Sequence, residues 1–192
     1  MGTVVIVTGT PGTGKTSFSM GLAREIGADY TPLTEYVSMH KLYSEFDRER
    51  KSKIIDVTKT RRALTGLFSR ATKPAVLDSH IPDRIVPKEM VKQVFVLRCH
   101  PRVLEARLRT KKWKPSKIRE NVLAEVLDSC LVAAVKYYGS RRVDQLDTSR
   151  TSVRQCIVSA KRILVHPTRK RKIRVDWIAT LEKERLLDRY LK

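Results

Sequence analysis

The chain has 192 residues, enough for one domain with a self-supporting core, and its 40 Lys and Arg against 20 Asp and Glu give a formal charge of +20. Its three cysteines, Cys99, Cys130 and Cys156, are odd in number and form no CxxC pair, which argues against a disulfide framework or a zinc site and for a reducing compartment. No apolar run approaches the ~18 residues of a membrane span, and the first strand pattern begins within a few residues of Met1; the expectation is a cytoplasmic protein, nuclear if the source is eukaryotic, with no signal peptide and no membrane partner.

Short apolar runs alternate with helical patterns, the signature of an α/β fold with a parallel sheet. VVIVT (4–8) predicts the first strand and runs directly into Gly9-Thr10-Pro11-Gly12-Thr13-Gly14-Lys15-Thr16, which meets GxxxxGK[ST] at every fixed position. A loop of this kind, strand before and helix after, wraps phosphates with its backbone amides and adds the positive end of a helix. An accidental glycine-rich turn would not explain the ordered Gly-Lys-Thr at a helix start. The predicted ATP-binding residues are Pro11, Gly12, Thr13, Gly14, Lys15, Thr16 and Ser17, with Lys15 bridging the β- and γ-phosphates and the Thr16 hydroxyl on Mg²⁺. The following helix carries Phe18, Leu22 and Ile26 at fourfold spacing and stops at Gly27.

A second strand is predicted at 28–32, and residues 34–73 read as a polar, basic, helical excursion before a third strand, AVLD (75–78). That strand ends in Leu77-Asp78-Ser79-His80, and alternation puts Asp78 and His80 on one side at the carboxyl edge of the sheet. Asp78 is predicted to hold Mg²⁺ through water, and His80 to position or polarise an attacking group. A surface or capping histidine is the competing reading.

VFVLR (94–98) predicts the fourth strand, followed by a helix from Pro101 to about Lys112 and the cationic bridge TKKWKPSK (110–117). Arg107 and Lys111, four apart, present two cations from one face, so 107–117 reads as a short lid over the phosphates; solvated basic residues are the alternative. A longer helix starts with Ser116 as N-cap, carries Ile118, Val122, Val126 and Cys130 on one stripe with Leu123, Leu127 and Leu131 beside it, and ends before Gly139. VDQLD (143–147) predicts the fifth strand. A helix from about Ser152 aligns Val153, Ile157, Ala160 and Leu164 before Pro167. RKRKIR (169–174) lies in a basic extension (168–192) whose Trp177, Leu181, Leu187 and Leu191 dock a terminal helix; the basic run itself reads as an RNA-binding arm, a nuclear address or a solvated linker. Residues 1–192 are thus read as a single P-loop domain built on a five-stranded parallel sheet.

A phosphate cradle serves switch GTPases, motor ATPases and small kinases alike. No NKxD-type guanine reader is present, and the chain is too small for most motors. The charge of +20 draws in polyanions, RNA among them, although simple solubility is an alternative use for it.

The chain resembles the atypical adenylate kinases, isoenzyme six in eukaryotes, a family with archaeal members that also assists assembly of the small ribosomal subunit. The residues carrying the likeness are "GTPGTGKT", "LYSEFDRERKSKIIDV" (42–57), "VLDSH", "VFVLR" with "VLEARL", and "ENVLAEVLD" (120–128), in order over residues 1 to about 165. The resemblance implies a nucleoside-monophosphate-kinase-like fold, the reaction ATP + AMP = 2 ADP with a slower ATPase, and docking to a small-subunit ribosomal protein and ribosomal RNA. Lys15, Asp78, His80 and Arg107 would then be catalytic, Arg107 and Lys111 would join the ATP binders, and Thr16 and Asp78 would hold the metal. Thr34, Asp47 and Arg50 would face the monophosphate. The chain departs from the family at Lys111-Lys112-Trp113, where an Arg-Gly commonly precedes the aromatic; Lys lacks the planar fork that grips a phosphate bidentately. Two other readings stay open: an assembly module that uses ATP hydrolysis as a timer with little kinase activity, and a small kinase for another nucleotide or a metabolite such as shikimate.

Overall fold

The computed structural model describes residues 3–47, 52–166 and 174–191. The strands are β1 (Val4–Thr8), β2 (Asp29–Pro32), β3 (Tyr43–Asp47), β4 (Ser52–Ile55), β5 (Ala75–Asp78), β6 (Val91–Arg98) and β7 (Val143–Asp147). The helices are α1 (Lys15–Ile26), α2 (Leu33–Met39), α3 (Val57–Arg70), α4 (Pro82–Ile85), α5 (Pro101–Thr110), α6 (Pro115–Val126), α7 (Ser129–Tyr138), α8 (Val153–Val165), α9 (Trp177–Lys183) and α10 (Leu187–Leu191). Five strands form one parallel sheet in the order β2-β5-β1-β6-β7, while β3 and β4 pair antiparallel apart from it. This is the five-stranded parallel α/β sheet that the alternation of apolar runs predicts, with the phosphate-loop motif directly after β1.

The period of two in β1 explains why both faces of the sheet are covered. Val4 and Ile6 join Leu64, Phe68, Leu77, Val94 and Val96 on one side. Val5 and Val7 join Phe18, Leu22, Phe95, Leu97 and Ile157 on the other. A strand buried at every position, as β1 is, occurs where helices cover both faces, as in parallel sheets. A third apolar cluster unites Leu104, Leu108, Ile118 and Val122 of α5 and α6 with Leu181 and Tyr190 of the C-terminal helices.

Four readings need correction. The excursion at 34–73 is only partly helical: β3 and β4 stand between α2 and α3, and Asp56 ends the strand pair by accepting a hydrogen bond from the Lys59 amide as the cap of α3. The long helix is two. Lys114 rather than Ser116 is its N-cap, with Pro115 in the first turn, and Asp128 at φ +56° turns the chain between α6 and α7, leaving Leu127 exposed. An aspartate tolerates that left-handed turn. The terminal helix is likewise two pieces parted at Arg185 (φ +57°), so Tyr190 is buried in place of Leu191. Val153 is exposed instead of joining Ile157 and Ala160 in the core. The basic run at 169–173 lies outside the described residues. Among them, no helix is long and apolar enough to cross a membrane.

Candidate active site

The loop between β1 and α1 has the shape its glycines permit. Gly9, Gly12 and Gly14 all have positive φ, at 138°, 95° and 96°. At Gly12 a side chain is also barred by packing, since a Cβ would lie 2.9 Å from methyl carbons of both Leu104 and Leu108 on α5. The loop therefore turns tightly against α5 and delivers the chain to the start of α1, with the Thr13 amide donating back to the Thr10 carbonyl at 3.3 Å. Lys15 Nζ donates to the carbonyls of Gly9 (2.8 Å) and Thr10 (3.2 Å), which holds the ammonium over the loop. Burial pulls its pKa below the usual lysine range, with the Asp78 carboxylate opposing.

The sheet register brings the second half of the site alongside. Asp78 pairs in register with Val7 on β1 and Pro32 on β2, and the Ser79 amide donates to the Val7 carbonyl at 3.1 Å. Thr16 Oγ1 consequently donates to Asp78 Oδ2 at 3.1 Å. Burial raises the Asp78 pKa, against the pull of Lys15 and the Thr16 hydrogen bond. His80 sits two residues on, at the exposed rim, its pKa lowered by desolvation and by the Lys15 charge. Tyr30 of β2 completes this corner. Its buried hydroxyl lies beside Thr16 and Asp78 without hydrogen-bonding geometry to any group, and desolvation together with the Asp78 charge pushes it up to about 12.

On the opposite side a cleft of about 500 Å³ is lined by the loop, by Arg107 and Thr110 of α5 and Lys111 at its C-cap, and by Thr148, Thr151 and Val153. Arg107 Nη2 donates to the Thr148 carbonyl at 2.7 Å and Nη1 to the Thr148 hydroxyl at 3.3 Å. The Thr148 hydroxyl in turn lies 2.9 Å from the Thr13 carbonyl, tying α5 and the turn after β7 to the phosphate loop. Lys111 is exposed at the mouth of the cleft and close enough to Lys15 to repel it.

The fold thus gathers Lys15, Thr16, Asp78 and His80 at the carboxyl edge of the sheet, with Arg107 and Lys111 across the cleft. Thr34 is exposed as the second residue of α2, two residues after Pro32, the β2 residue that pairs with Asp78. Asp47 closes β3, and Arg50 lies outside the described residues. Sequence reasoning missed Tyr30, Thr148, Thr151 and Val153. For Val153 its place just after the Ser152 cap was an available signal, because a residue in the first helical turn faces the end of the helix as readily as the core.

These residues suit a polyphosphate and a small divalent cation. The loop offers amides and an ammonium, one hydroxyl and one carboxylate converge, and the Tyr30 hydroxyl faces them without a partner. Mg²⁺ is characteristically held by one or two protein oxygens with phosphates and waters supplying the remainder. No group of three or more His, Cys, Asp or Glu suited to a metal occurs among the described residues.

Comparison with known proteins agrees with this chemistry. A family model described as "AAA domain" matches residues 5–128. A protein named "putative adenylate kinase" from Methanocaldococcus jannaschii is 32% identical over 173 residues, covering 90% of this chain and 92% of its own length. One of the same name from Thermococcus onnurineus is 32% identical over 180 residues, 94% of each chain. Among solved structures, shikimate kinase from Acinetobacter baumannii, in complex with shikimate, superposes with a TM-score of 0.60 at 15% identity, over 88% of this chain and 97% of its own. At that identity the likeness concerns the fold alone.

Proposed function

The chain belongs to the adenylate-kinase-like P-loop family, and from that premise we propose that it transfers the γ-phosphoryl group of ATP to AMP, giving two ADP, with a slower ATPase, and that it works in late maturation of the small ribosomal subunit. The observation that carries the kinase reading is the 3.1 Å contact between Thr16 and Asp78 beside Lys15.

Each residue then has a task. The amides from Gly12 to Thr16 cradle the phosphates, and Lys15, released from the Gly9 and Thr10 carbonyls, follows the negative charge. Thr16 and Asp78 hold Mg²⁺, which when bound neutralises charge on the transferring group. His80, kept neutral by desolvation, orients the attacking oxygen. Arg107 and Lys111, in the lid 107–117, close over the phosphates and exclude water. The insertion 34–73 receives the monophosphate through Thr34, Asp47 and Arg50, and residues 1–192 act as one kinase domain.

The ribosomal role is supported by the resemblance and by the charge of +20, which a metabolic kinase does not need. A small-subunit ribosomal protein and ribosomal RNA are the proposed partners. The exposed Lys111, without the fork of an arginine, favours the second reading, an ATP-driven assembly module with weak kinase turnover. An acceptor panel tests the assignment: ADP formation from Mg·ATP is measured with AMP, other nucleoside monophosphates and shikimate in turn. AMP is expected to give the fastest reaction. Preference for a non-nucleotide acceptor would overturn it, and equal ADP formation with and without every acceptor would favour the ATPase module.

A further inference from the structure

Beneath the cradle lies a carboxylate that none of these roles uses. Glu125 on α6 is buried, at 2% exposure. Its Oε2 accepts from the Thr10 hydroxyl at 2.6 Å. Its Oε1 accepts from Arg98 Nε (2.8 Å), the Cys99 amide (3.0 Å) and the Trp177 indole N–H (2.9 Å). Arg98, equally buried, donates further to the Gln145 side chain, the Glu125 carbonyl and Asp128. Buried charge persists only where donors and counter-charge surround it this completely.

Two of the four donors, Thr10 and Trp177, come from segments distant from Arg98 in the chain, and the Trp177 ring also lies 5.9 Å from the Arg98 guanidinium carbon. Thr10 belongs to the phosphate loop, and its carbonyl accepts from Lys15 Nζ (3.2 Å), from the Thr13 hydroxyl (2.9 Å) and from the Thr13 amide (3.3 Å). One residue therefore anchors the loop inward to Glu125 and outward to the lysine. Trp177 comes from α9, beyond the last residue of the family match at 128. Its ring packs edge-on to His100 at 5.3 Å, and His100 caps the lid helix by accepting from the Arg102 amide. The loop bends through three positive-φ glycines, which enter and leave that conformation freely, so it is the contacts around them that fix the loop's shape.

We propose that Glu125 is a positioning residue for the phosphate cradle, and that the C-terminal segment 174–191 completes this support through the Trp177 N–H, so that its seating sets the affinity for nucleotide. The proposal rests on the reading that the cradle binds ATP.

The test uses the full chain and measures Mg·ATP affinity by calorimetry beside the thermal unfolding midpoint for Thr10→Val, Thr10→Ser, Trp177→Phe and the Thr10→Val/Trp177→Phe double variant. Thr10→Val is expected to weaken ATP binding about tenfold, the scale of one buried hydrogen bond, and Thr10→Ser to restore it to within about twofold. Trp177→Phe, which keeps a ring and removes the N–H, is expected to weaken binding about threefold, and the double variant to lose less than the product of the two. Trp177→Phe that binds ATP as tightly as the unsubstituted chain overturns the proposal, whatever its midpoint, as does Thr10→Val with unaltered affinity. Should Thr10→Val not fold, Trp177→Phe decides alone. If the unsubstituted chain binds no ATP, the kinase reading fails and the proposal with it; if it binds and the variants match it, only the proposal fails.

Discussion

Adding one methyl group at Gly12 and, separately, at Gly14 divides the cradle's strain from its packing. Both glycines sit near φ +95°, so Gly→Ala at either imposes a backbone conformation that L residues rarely adopt, at about 1–3 kcal/mol. They differ in what the methyl meets. At Gly14 nothing lies within 4 Å, whereas at Gly12 the new carbon falls 2.9 Å from methyls of Leu104 and Leu108, which themselves are fully buried. Overpacking of that kind adds about 1–3 kcal/mol and pushes α5, with Arg107 and Lys111, away from the loop. For a chain of this length each kcal/mol is worth roughly 2–4 °C, so Gly12→Ala is expected to melt about 2–12 °C below Gly14→Ala. Differential scanning calorimetry without nucleotide gives the comparison. Equal midpoints for the two variants, or a lower one for Gly14→Ala, would refute the packing of α5 on the loop.

Lys15→Ala is expected to weaken Mg·ATP binding at least about tenfold, through loss of a charge-assisted contact, and undiminished affinity in calorimetry would contradict it. His80→Ala should lower kcat about 10²-fold while ATP affinity changes less than about threefold; parallel loss of both would recast His80 as a binding residue. Asp56 has its pKa held below 3.8 chiefly by the Lys59 amide, so the stability it contributes is present above that value and lost as pH falls through its folded pKa. Urea unfolding should therefore show Asp56→Ala less stable than the parent at pH 7, with the difference closing below pH 3.8; a constant difference down to pH 2 would contradict the cap. Binding to single-stranded RNA should weaken steeply with salt, and affinity flat from low to high salt would remove the electrostatic case for a polyanionic partner.

The sheet and the cradle were legible because each is written in local pattern. An apolar run over Val4–Val7, a fixed glycine spacing and a Gly27 stop need no knowledge of what lies across the molecule. Asp78 and His80 were legible for a related reason, since alternation at the end of a parallel strand fixes the edge to which they belong. The α6–α7 break was not, because Val122, Val126 and Cys130 keep helical spacing straight through it; the turn is held by Asp128 meeting Arg98, a partner 30 residues away. Tyr30, Thr148 and the Glu125 cluster were hidden likewise. Tyr30 and Thr148 pass for ordinary strand and loop residues, Glu125 for a solvated helical charge, and only the fold brings them to Asp78, Arg107 and Thr10. Periodicity separates apolar from polar faces and does not tell which polar side chain is buried with partners.

Transfer of label from [γ-³²P]ATP is the most direct test of phosphoryl transfer between nucleotides at this cradle. With AMP and Mg²⁺ present, the label should appear in newly formed ADP, in an amount matching the AMP consumed, and Lys15→Ala should abolish it. Label recovered solely as inorganic phosphate, at a rate indifferent to AMP, would contradict a kinase.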